Sequence, residues 1–506
     1  MKSMFLSSEA ILRRGIVCQT VQKQSEHKQI LCTLLWMCTI VAVSSTDAIH
    51  AQNPDPVSRP NIVVIVADDL GYGETGMMGN REIPTPNIDS LAARGVRCTA
   101  GYVTSSYCSP SRAGILTGRY QSRFGYDVNP TGKRNLLPEA GLPQSETTFV
   151  QKLQDSGYQT GLVGKWHLGA TPELHPLRRG FGSFYGFLHE GHFYVPGSIN
   201  DPTSFQGVMT MVRDKALDTG TRAREGDFIR GNYAPINEPA YDQDNPVLRG
   251  TDPITETRYL TDAISEEAVQ FVNQHHESPF CLMVCFNAVH SPMQAKLADA
   301  QAFQRIEDEQ RRIFAGMLSA MDRGIGTILD AIDEHRLRRN TLIVFLSDNG
   351  GPTKELTSSN QPLRDGKGSL YEGGVRIPMV WSFPTRLPEG KLETRPVLSL
   401  DIAATALDLA GIPSGNELDG VSLFDWIDSP LAEGHQTIFW RMQRGKKALR
   451  SGNWKIVSPG ADEPFELYHL ASDIGEQRNL AEQQNEKLSE LVKRWQSFNL
   501  QMPPLK

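Results

Sequence analysis

Four short runs of this sequence are almost wholly apolar and rich in β-branched residues, and each stops abruptly at a polar cluster. Asn61 to Val66 (NIVVIV) leads into Asp68-Asp69, and Thr160 to Val163 leads into Gly164-Lys165-Trp166-His167. Phe280 to Phe286 leads into His290-Ser291-Pro292, and Thr341 to Leu346 (TLIVFL) into Asp348-Asn349-Gly350-Gly351. Continuous apolarity over so few residues, without alternation, is the pattern of strands covered on both faces. Helix signals lie between them: Thr85-Pro86 as N-cap and first helical position with Gly95 as the stop, then amphipathic stretches at 146–157, 258–275, 311–335 and 401–410. Strands alternating with helices predict an α/β fold, a mostly parallel sheet sandwiched by helices. Ligands of such sheets collect at the carboxyl ends of the strands, so the four polar clusters are expected to converge.

A chain of 506 residues exceeds what one core normally serves. From about Phe193 to Thr257, Gly, Pro, Asp and Asn accumulate without a period, which reads as a long insertion over the active face. After about Gly434 the pattern turns to short strands (TIFWRM, KKALRSG, NWKIVS, FELYHL) and a terminal helix from Asn479 to Phe498. This predicts a small C-terminal α+β domain at 433–506 behind a catalytic domain at 58–432. Lys and Arg number 51 against 58 Asp and Glu, a net charge of −7. That argues against a nucleic-acid partner and requires any anion site to be local.

At the N-terminus, Arg13, Arg14, Lys23 and Lys28 precede the apolar run Ile30 to Val43 and small residues ending near Ala48 and Ala51. This is the layout of a secretory signal peptide, assigned to 1–51. The run is marginal for crossing a bilayer, so a cleaved signal is favoured over a retained anchor. The mature protein is then expected to be secreted or periplasmic, without stable membrane insertion. Cys18, Cys32 and Cys38 leave with the leader, while Cys98, Cys108, Cys281 and Cys285 remain. Cys281 and Cys285, four apart on a strand, are too distant to bridge and read as core thiols.

Asp68, Asp69, Asp348 and Asn349 are hard oxygen donors placed after two different buried strands. Taken singly, each Asp reads as a helix or turn cap. Taken together, three carboxylates crowd only where positive charge neutralises them, so a Ca²⁺ or Mg²⁺ site is expected. The absence of a local Cys/His pair argues against zinc. Lys165, His167, His290 and Lys367 add cationic and proton-transferring groups to the same face, an anion hole suited to a sulfate or phosphate ester. Cys108 opens CSPSRAGILTGR (108–119), where a helix beginning at Ser111 would favour an anion. Sulfur is too soft for an all-oxygen site and a thiol nucleophile needs a base, so the local chemistry fits an oxygen at position 108 better than a sulfur.

These motifs resemble the type I sulfatases. CSPSR (108–112) followed by LTGR (116–119) is similar to the signature in which that cysteine is converted to formylglycine, 3-oxoalanine. The likeness runs through VADDLGYG (66–73), TPNIDSLA (85–92), GKWHLG (164–169), RGFGSFYG (179–186), HSP (290–292), SDNGG (347–351), GKGSLYEGGVR (366–376) and LYHLASDIGEQRNL (467–480). The run from Gly164 to Gly186 and the LYEGGVR segment look most like the N-acetylgalactosamine-4-sulfatase branch and the bacterial polysaccharide sulfatases. The resemblance implies an alkaline-phosphatase-like fold and one Ca²⁺ per chain, or Mg²⁺, on Asp68, Asp69, Asp348, Asn349 and an oxygen of residue 108. It further implies that Arg112 orients the formylglycine, that Lys165 and Lys367 hold the sulfate, that His167 is the base that breaks down the covalent intermediate, and that His290 assists the departing alcohol. His189-Glu190-Gly191-His192 follows the FYG segment, and His192 is expected to touch sugar or sulfate. The implied activity is hydrolysis of a sulfate ester on a sulfated oligosaccharide or polysaccharide, after a formylglycine-generating maturase has acted. Competing readings are a phosphomonoester or phosphonate hydrolase of the same superfamily and a non-catalytic sulfated-glycan binding protein. No extra Asp/His set suggests a second metal, and intact Lys165, His167, His290 and Lys367 speak against decay.

Overall fold

All four apolar runs fold as strands, and their burial explains their composition: Asn61–Ala67, Phe280–Cys285 and Thr341–Ser347 are buried throughout, and Gln159–Lys165 after its first residue. Complete burial of each Val, Ile or Leu side chain contributes about 1.5–3 kcal/mol. A computed structural model describes residues 59–195, 208–213, 228–230 and 244–505, apart from 354–356, 416, 430, 431 and 433. The leader expected at 1–51 lies outside the described residues.

In chain order the strands are β1 (Asn61–Ala67), β2 (Val96–Tyr102), β3 (Gln159–Lys165), β4 (Ser183–Phe187), β5 (Val208–Arg213), β6 (Phe228–Arg230), β7 (Val247–Arg249), β8 (Asp252–Ile254) and β9 (Phe280–Cys285). They continue with β10 (Met293–Lys296), β11 (Thr341–Ser347), β12 (Arg376–Ser382), β13 (Lys391–Glu393), β14 (Val397–Leu398), β15 (Thr437–Arg441), β16 (Lys447–Ser451), β17 (Trp454–Ser458) and β18 (Glu466–His469). The centre of the main sheet is β11-β1-β9-β3-β4, parallel at every pairing. Antiparallel strands flank it, β12 then β2 beyond β11, and β7 then β8 beyond β4, with β13 and β14 pairing to β2. The sheet is thus mixed and mostly parallel, as expected. Two successive antiparallel pairings turn β2 back into the direction of β11. The carboxyl ends of β1, β2, β3, β9 and β11 and the amino end of β12 therefore share one edge, where every polar cluster sits.

The longer helices are α1 (Pro86–Ala93), α2 (Cys108–Thr117), α3 (Phe149–Asp155), α4 (Leu260–His275), α5 (Glu309–Glu334), α6 (Asp401–Leu409) and α7 (Asn485–Asn499). Val63, Ile65 and Ala67 of β1 pack with α1, α4 and α5, while Ile62, Val64 and Val66 pack with α2, α3 and α6. This division by odd and even positions is the strand period sandwiching the sheet. Gly164 in β3 has φ +106°, and a Cβ there would lie 1.9 Å from the Cys285 carbonyl oxygen of β9. Only glycine allows this approach, which sets Lys165 at the strand end.

Helix boundaries differ from the sequence reading at several places, most plainly at the starts of α2 and α7. α2 begins at Cys108 rather than Ser111, because the Ser111 N–H already bonds the Tyr107 carbonyl and Pro110 needs no partner in a first turn. α7 begins at Asn485 rather than Asn479, because the Asn479 side chain accepts from the Leu467 and Ala481 N–H groups and makes a turn. In the insertion, β5 and β6 form a three-stranded antiparallel sheet with β10, which follows His290 closely. Strands β15 to β18 make a four-stranded antiparallel sheet, and Phe439, Trp440, Leu467 and Trp495 share an apolar cluster with Tyr102, Leu370 and Tyr371. Cys281 and Cys285 are free and buried. No helix of the described residues is long and apolar enough to cross a membrane.

Asp401 at the head of α6 accepts from the Leu398 and Val421 N–H groups, both at 2.9 Å, and pairs with His435 Nε2 at 2.7 Å. Burial alone would lower the His435 imidazole, but Asp401 outweighs it and raises the imidazole above its ordinary 6.5. A raised folded value means that the imidazolium stabilises the fold fully below about pH 6.5 and progressively less as pH climbs through the folded value. His435→Gln should therefore cost about 1.5–3 kcal/mol at about pH 6, and the gap to wild type in chemical denaturation should narrow at about pH 9. An equal gap at both pH values would rule out the imidazolium as its source.

Candidate active site

Parallel pairing of β1 and β11 aligns Ala67 with Ser347, so the next residues of both strands, Asp68 and Asp348, emerge side by side. Asp69 turns into the left-handed region (φ 62°), and its N–H donates to Asp348 Oδ1 at 3.3 Å. All three carboxylates are at most 1% exposed. Unpaired charges could not remain there. Each meets a cation: Asp68 Oδ2 lies 2.6 Å from Lys165 Nζ, Asp69 Oδ2 lies 2.8 Å from Lys367 Nζ, and Asp348 Oδ2 receives Arg112 Nε at 2.9 Å with Nη2 at 2.8 Å. Arg112 also donates to the Lys165 carbonyl at 3.1 Å, tying α2 to the end of β3.

The compensation is uneven. Burial works to raise the Asp69 carboxyl, but Lys367 and His290 outweigh it and hold it at about 2. At Asp348, burial and then neighbouring Asp68 push the carboxyl up to about 6 despite Arg112. Burial opposes the charge on Lys165 and Lys367 too, yet the aspartates raise both ammonium groups. Asn349 donates from Nδ2 to Asp69 Oδ1 at 2.7 Å, whereas its buried Oδ1 has no hydrogen-bond partner among the described residues. Ligand atoms of Asp68, Asp69, Cys108 and His290 lie within 4.8 Å of one another. A cluster of buried hard oxygens, one carboxyl under-compensated and one amide oxygen orphaned, suits a hard divalent cation.

Cys108 is the first residue of α2, with Sγ 3.5 Å from Asp68 Oδ1. Burial raises its thiol strongly against the pull of Lys165 and Lys367, so it carries a proton and is no thiolate nucleophile. His167 is fully buried at φ 56°, and its Nε2 lies 2.8 Å from the Pro130 carbonyl. Burial first, and Lys165 next, hold the imidazole well below its usual range. The ring is therefore neutral, and since a carbonyl only accepts, Nε2 carries the hydrogen and the lone pair belongs to Nδ1. That Nδ1 has no hydrogen-bond partner among the described residues. Ser109 bonds both Tyr126 (2.7 Å) and the His167 carbonyl (2.6 Å), joining the head of α2 to His167. His290 Nε2 faces Asp69 Oδ2 at 3.6 Å and its Nδ1 lies 2.7 Å from the Ser291 carbonyl.

The structure thus brings Asp68, Asp69, Cys108, Arg112, Lys165, His167, His290, Asp348, Asn349 and Lys367 to one edge. His192 packs its ring on Phe187, the register partner of Lys165, at 5.3 Å, with Nδ1 2.9 Å from the Phe193 carbonyl. The sequence reading names Glu190 beside it but gives it no role. That buried carboxylate accepts from the Gly132 N–H and the Asn135 amide, both at 2.6 Å, and pins the segment that offers Pro130 to His167. A backbone carbonyl as a histidine's partner leaves no trace in residue types.

Comparison with known proteins agrees with this geometry. A family model described as Sulfatase matches residues 60–412, and one described as N-sulphoglucosamine sulphohydrolase, C-terminal, matches 365–499. Steryl-sulfatase of Homo sapiens is 32% identical over 436 residues, spanning 74% of this chain and 70% of its own. Arylsulfatase A of Homo sapiens is 34% identical over 454 residues, 83% of each chain. The crystal structure of Ps i-CgsB in complex with k-i-k-neocarrahexaose superposes with a TM-score of 0.77 at 33% identity, covering 89% of this chain and 94% of that one. A phosphonate monoester hydrolase of Agrobacterium radiobacter shares the fold, with a TM-score of 0.59 at 19% identity over 88% of this chain and 96% of its own. A family model over residues 60–412, together with relatives at least 32% identical that are matched over 70% or more of their own length, makes this protein a member of the sulfatase family and an enzyme of sulfate esters.

Proposed function

We propose that this sulfatase removes sulfate from a sulfated oligosaccharide or polysaccharide, using formylglycine made from Cys108 by a maturase and one Ca²⁺, or Mg²⁺, at the sheet edge. The observation that carries this reading is a neutral, buried thiol set among three carboxylates and an orphaned amide oxygen. The metal would be held by Asp68, Asp69, Asp348, Asn349 and residue 108. Bound there, it supplies positive charge that acidifies an oxygen at residue 108 and offsets the charge of sulfate. Formylglycine supplies a hydrated aldehyde, two oxygens where serine has one, so that one can attack sulfur and the other can expel sulfate.

The remaining roles belong to this chain's own side chains. Lys165, fully buried, and Lys367, partly buried, are both charged and hold the sulfate oxygens. Arg112 braces Asp348 and the Lys165 carbonyl and so orients residue 108. His167, neutral with its Nδ1 lone pair uncommitted, takes a proton from an oxygen at position 108, and His290 delivers one to the departing alcohol. His192, packed beside the end of β4, contacts the sugar or its sulfate. A carbohydrate substrate is supported by the carrageenan-oligosaccharide complex of a relative 33% identical. The signal at 1–51, secretion or periplasmic export, and division into 58–432 and 433–506 complete the reading.

Mass spectrometry of the Cys108 peptide from active protein should show sulfur lost and an aldehyde oxygen gained. Unmodified thiol in fully active enzyme would sink the proposal, and Cys108→Ala should abolish turnover. Chelation should remove activity, with Ca²⁺ or Mg²⁺ restoring it; zinc as the sole bound metal, or an undiminished rate in Asp348→Ala, would contradict the site. The two histidines separate in rapid-quench kinetics. His167→Ala should release one equivalent of alcohol and then stall. His290→Ala should slow alcohol release by about 10²–10⁴-fold on a sugar sulfate and much less on an aryl sulfate, whose leaving group hardly needs the proton. Equal losses on both substrates, or no burst in His167→Ala, would reverse the assignments. Measuring free phosphate alongside sulfate tests the phosphohydrolase alternative.

A further inference from the structure

The terminal motif LYHLASDIGEQRNL (467–480) lies far along the chain from every catalytic candidate, yet two of its residues reach the segment that carries Lys367. That segment is a loop whose ends meet: the Gly373 N–H donates to the Arg364 carbonyl at 2.9 Å. Glu476, fully buried, grips both ends. Its Oε2 accepts the Glu372 N–H at 2.6 Å, and its backbone carbonyl accepts from Arg364 Nη1 at 2.9 Å. Arg364 also donates to the Tyr468 hydroxyl at 2.9 Å and stacks its guanidinium on the Tyr371 ring at 3.7 Å. Between the two grips, Lys367 and Gly368 donate their N–H groups to the carbonyls of Gly351 (3.3 Å) and Ser106 (3.0 Å), so the loop is seated against the residues before Cys108.

A second set of contacts holds Glu476 itself. Lys455 of β17, fully buried, lies 2.8 Å from Glu372 Oε1 and 3.0 Å from Glu476 Oε1. Glu372 also meets Arg376 at 3.1 Å and the Tyr102 hydroxyl at 2.5 Å. Burial alone would raise Glu372, but Lys455, Arg376 and Arg450 hold it at about 2. Glu476 is the carboxyl that gives way: burial raises it to about 7 against Lys455, with Glu372 adding to the rise. A glutamine keeps one oxygen for the Glu372 N–H but sets its amide N–H groups against Lys455.

We infer that Glu476 is a positioning residue for the sulfatase reaction: it clamps both ends of the 364–373 loop and thereby sets Lys367 Nζ at the sulfate site. The inference rests on Lys367 holding sulfate, as proposed above. A lysine that holds sulfate alike before and during reaction contributes uniform binding, so its misplacement raises KM more than it lowers kcat.

The test uses the matured, metal-loaded full chain with Glu476→Ala, Glu476→Gln and Arg364→Gln, each alone and combined with Lys367→Ala. Inorganic sulfate binding is measured by calorimetry, KM and kcat on an aryl sulfate, and amide exchange of 364–373 by mass spectrometry. Glu476→Ala should weaken sulfate binding and raise KM by about tenfold, with a smaller change in kcat and faster exchange in the loop. Glu476→Gln, which keeps an acceptor for the Glu372 N–H, should recover part of the loss, and the losses should vanish in the Lys367→Ala background, because coupled residues do not add. Arg364→Gln, a half-exposed site, reports the same loss in milder form should Glu476→Ala not fold. Sulfate binding unchanged in the Glu476 and Arg364 variants, or losses of the same size without Lys367, would overturn the inference. Wild-type enzyme that binds sulfate through Lys367 but cleaves no sulfate ester would overturn the proposed reaction instead, and sulfate binding would still read the clamp.

Discussion

Three carboxylates held out of water at the end of a parallel sheet govern the structure around them. Asp68, Asp69 and Asp348 are buried where the local dielectric magnifies both repulsion and attraction, so each must be matched at contact distance. Lys165, Lys367 and Arg112 supply that match from three other places in the chain, β3, the 364–373 loop and α2. Losing any one cation removes the contact-distance partner of a buried anion. The apolar strands behind the site serve this requirement, because only a stiff, fully packed sheet keeps four strand ends in register within a few ångströms.

The same field and burial keep two other groups neutral. Cys108 retains its proton although two lysines favour the thiolate, and His167 stays unprotonated because burial and Lys165 both oppose a further positive charge. A site crowded with fixed charges thus holds His167 and Cys108 uncharged. That division suits a reaction on an anion: the permanent cations attract it, and the neutral imidazole can still accept a proton.

The C-terminal sheet is coupled to this machinery by the polar network at Lys455, Glu372 and Glu476 as well as by the apolar cluster around Trp440 and Trp495. Apolar contact alone fixes position loosely, since hydrophobic attraction has no direction. Hydrogen bonds from Glu372 and Arg364 to Glu476 add the direction that a loop carrying a lysine needs.

Much of this was legible in the residues. Unbroken apolar strands, their polar ends and the parallel arrangement together required convergence of Asp68-Asp69, Lys165-His167, His290 and Asp348-Asn349, because period and strand direction are local properties. Helix starts were less legible: Ser111 looked like the beginning of α2, and Asn479 that of α7, since a turn made by one side chain competes with a cap of the same composition. Which cation meets which carboxylate, the uncommitted Nδ1 of His167, the Pro130 carbonyl behind it and the grip of Glu476 on the Lys367 loop were decided by tertiary structure alone. Those depend on distances between segments hundreds of residues apart and on backbone atoms that every residue shares, so no residue type or spacing along the chain encodes them separately from the fold.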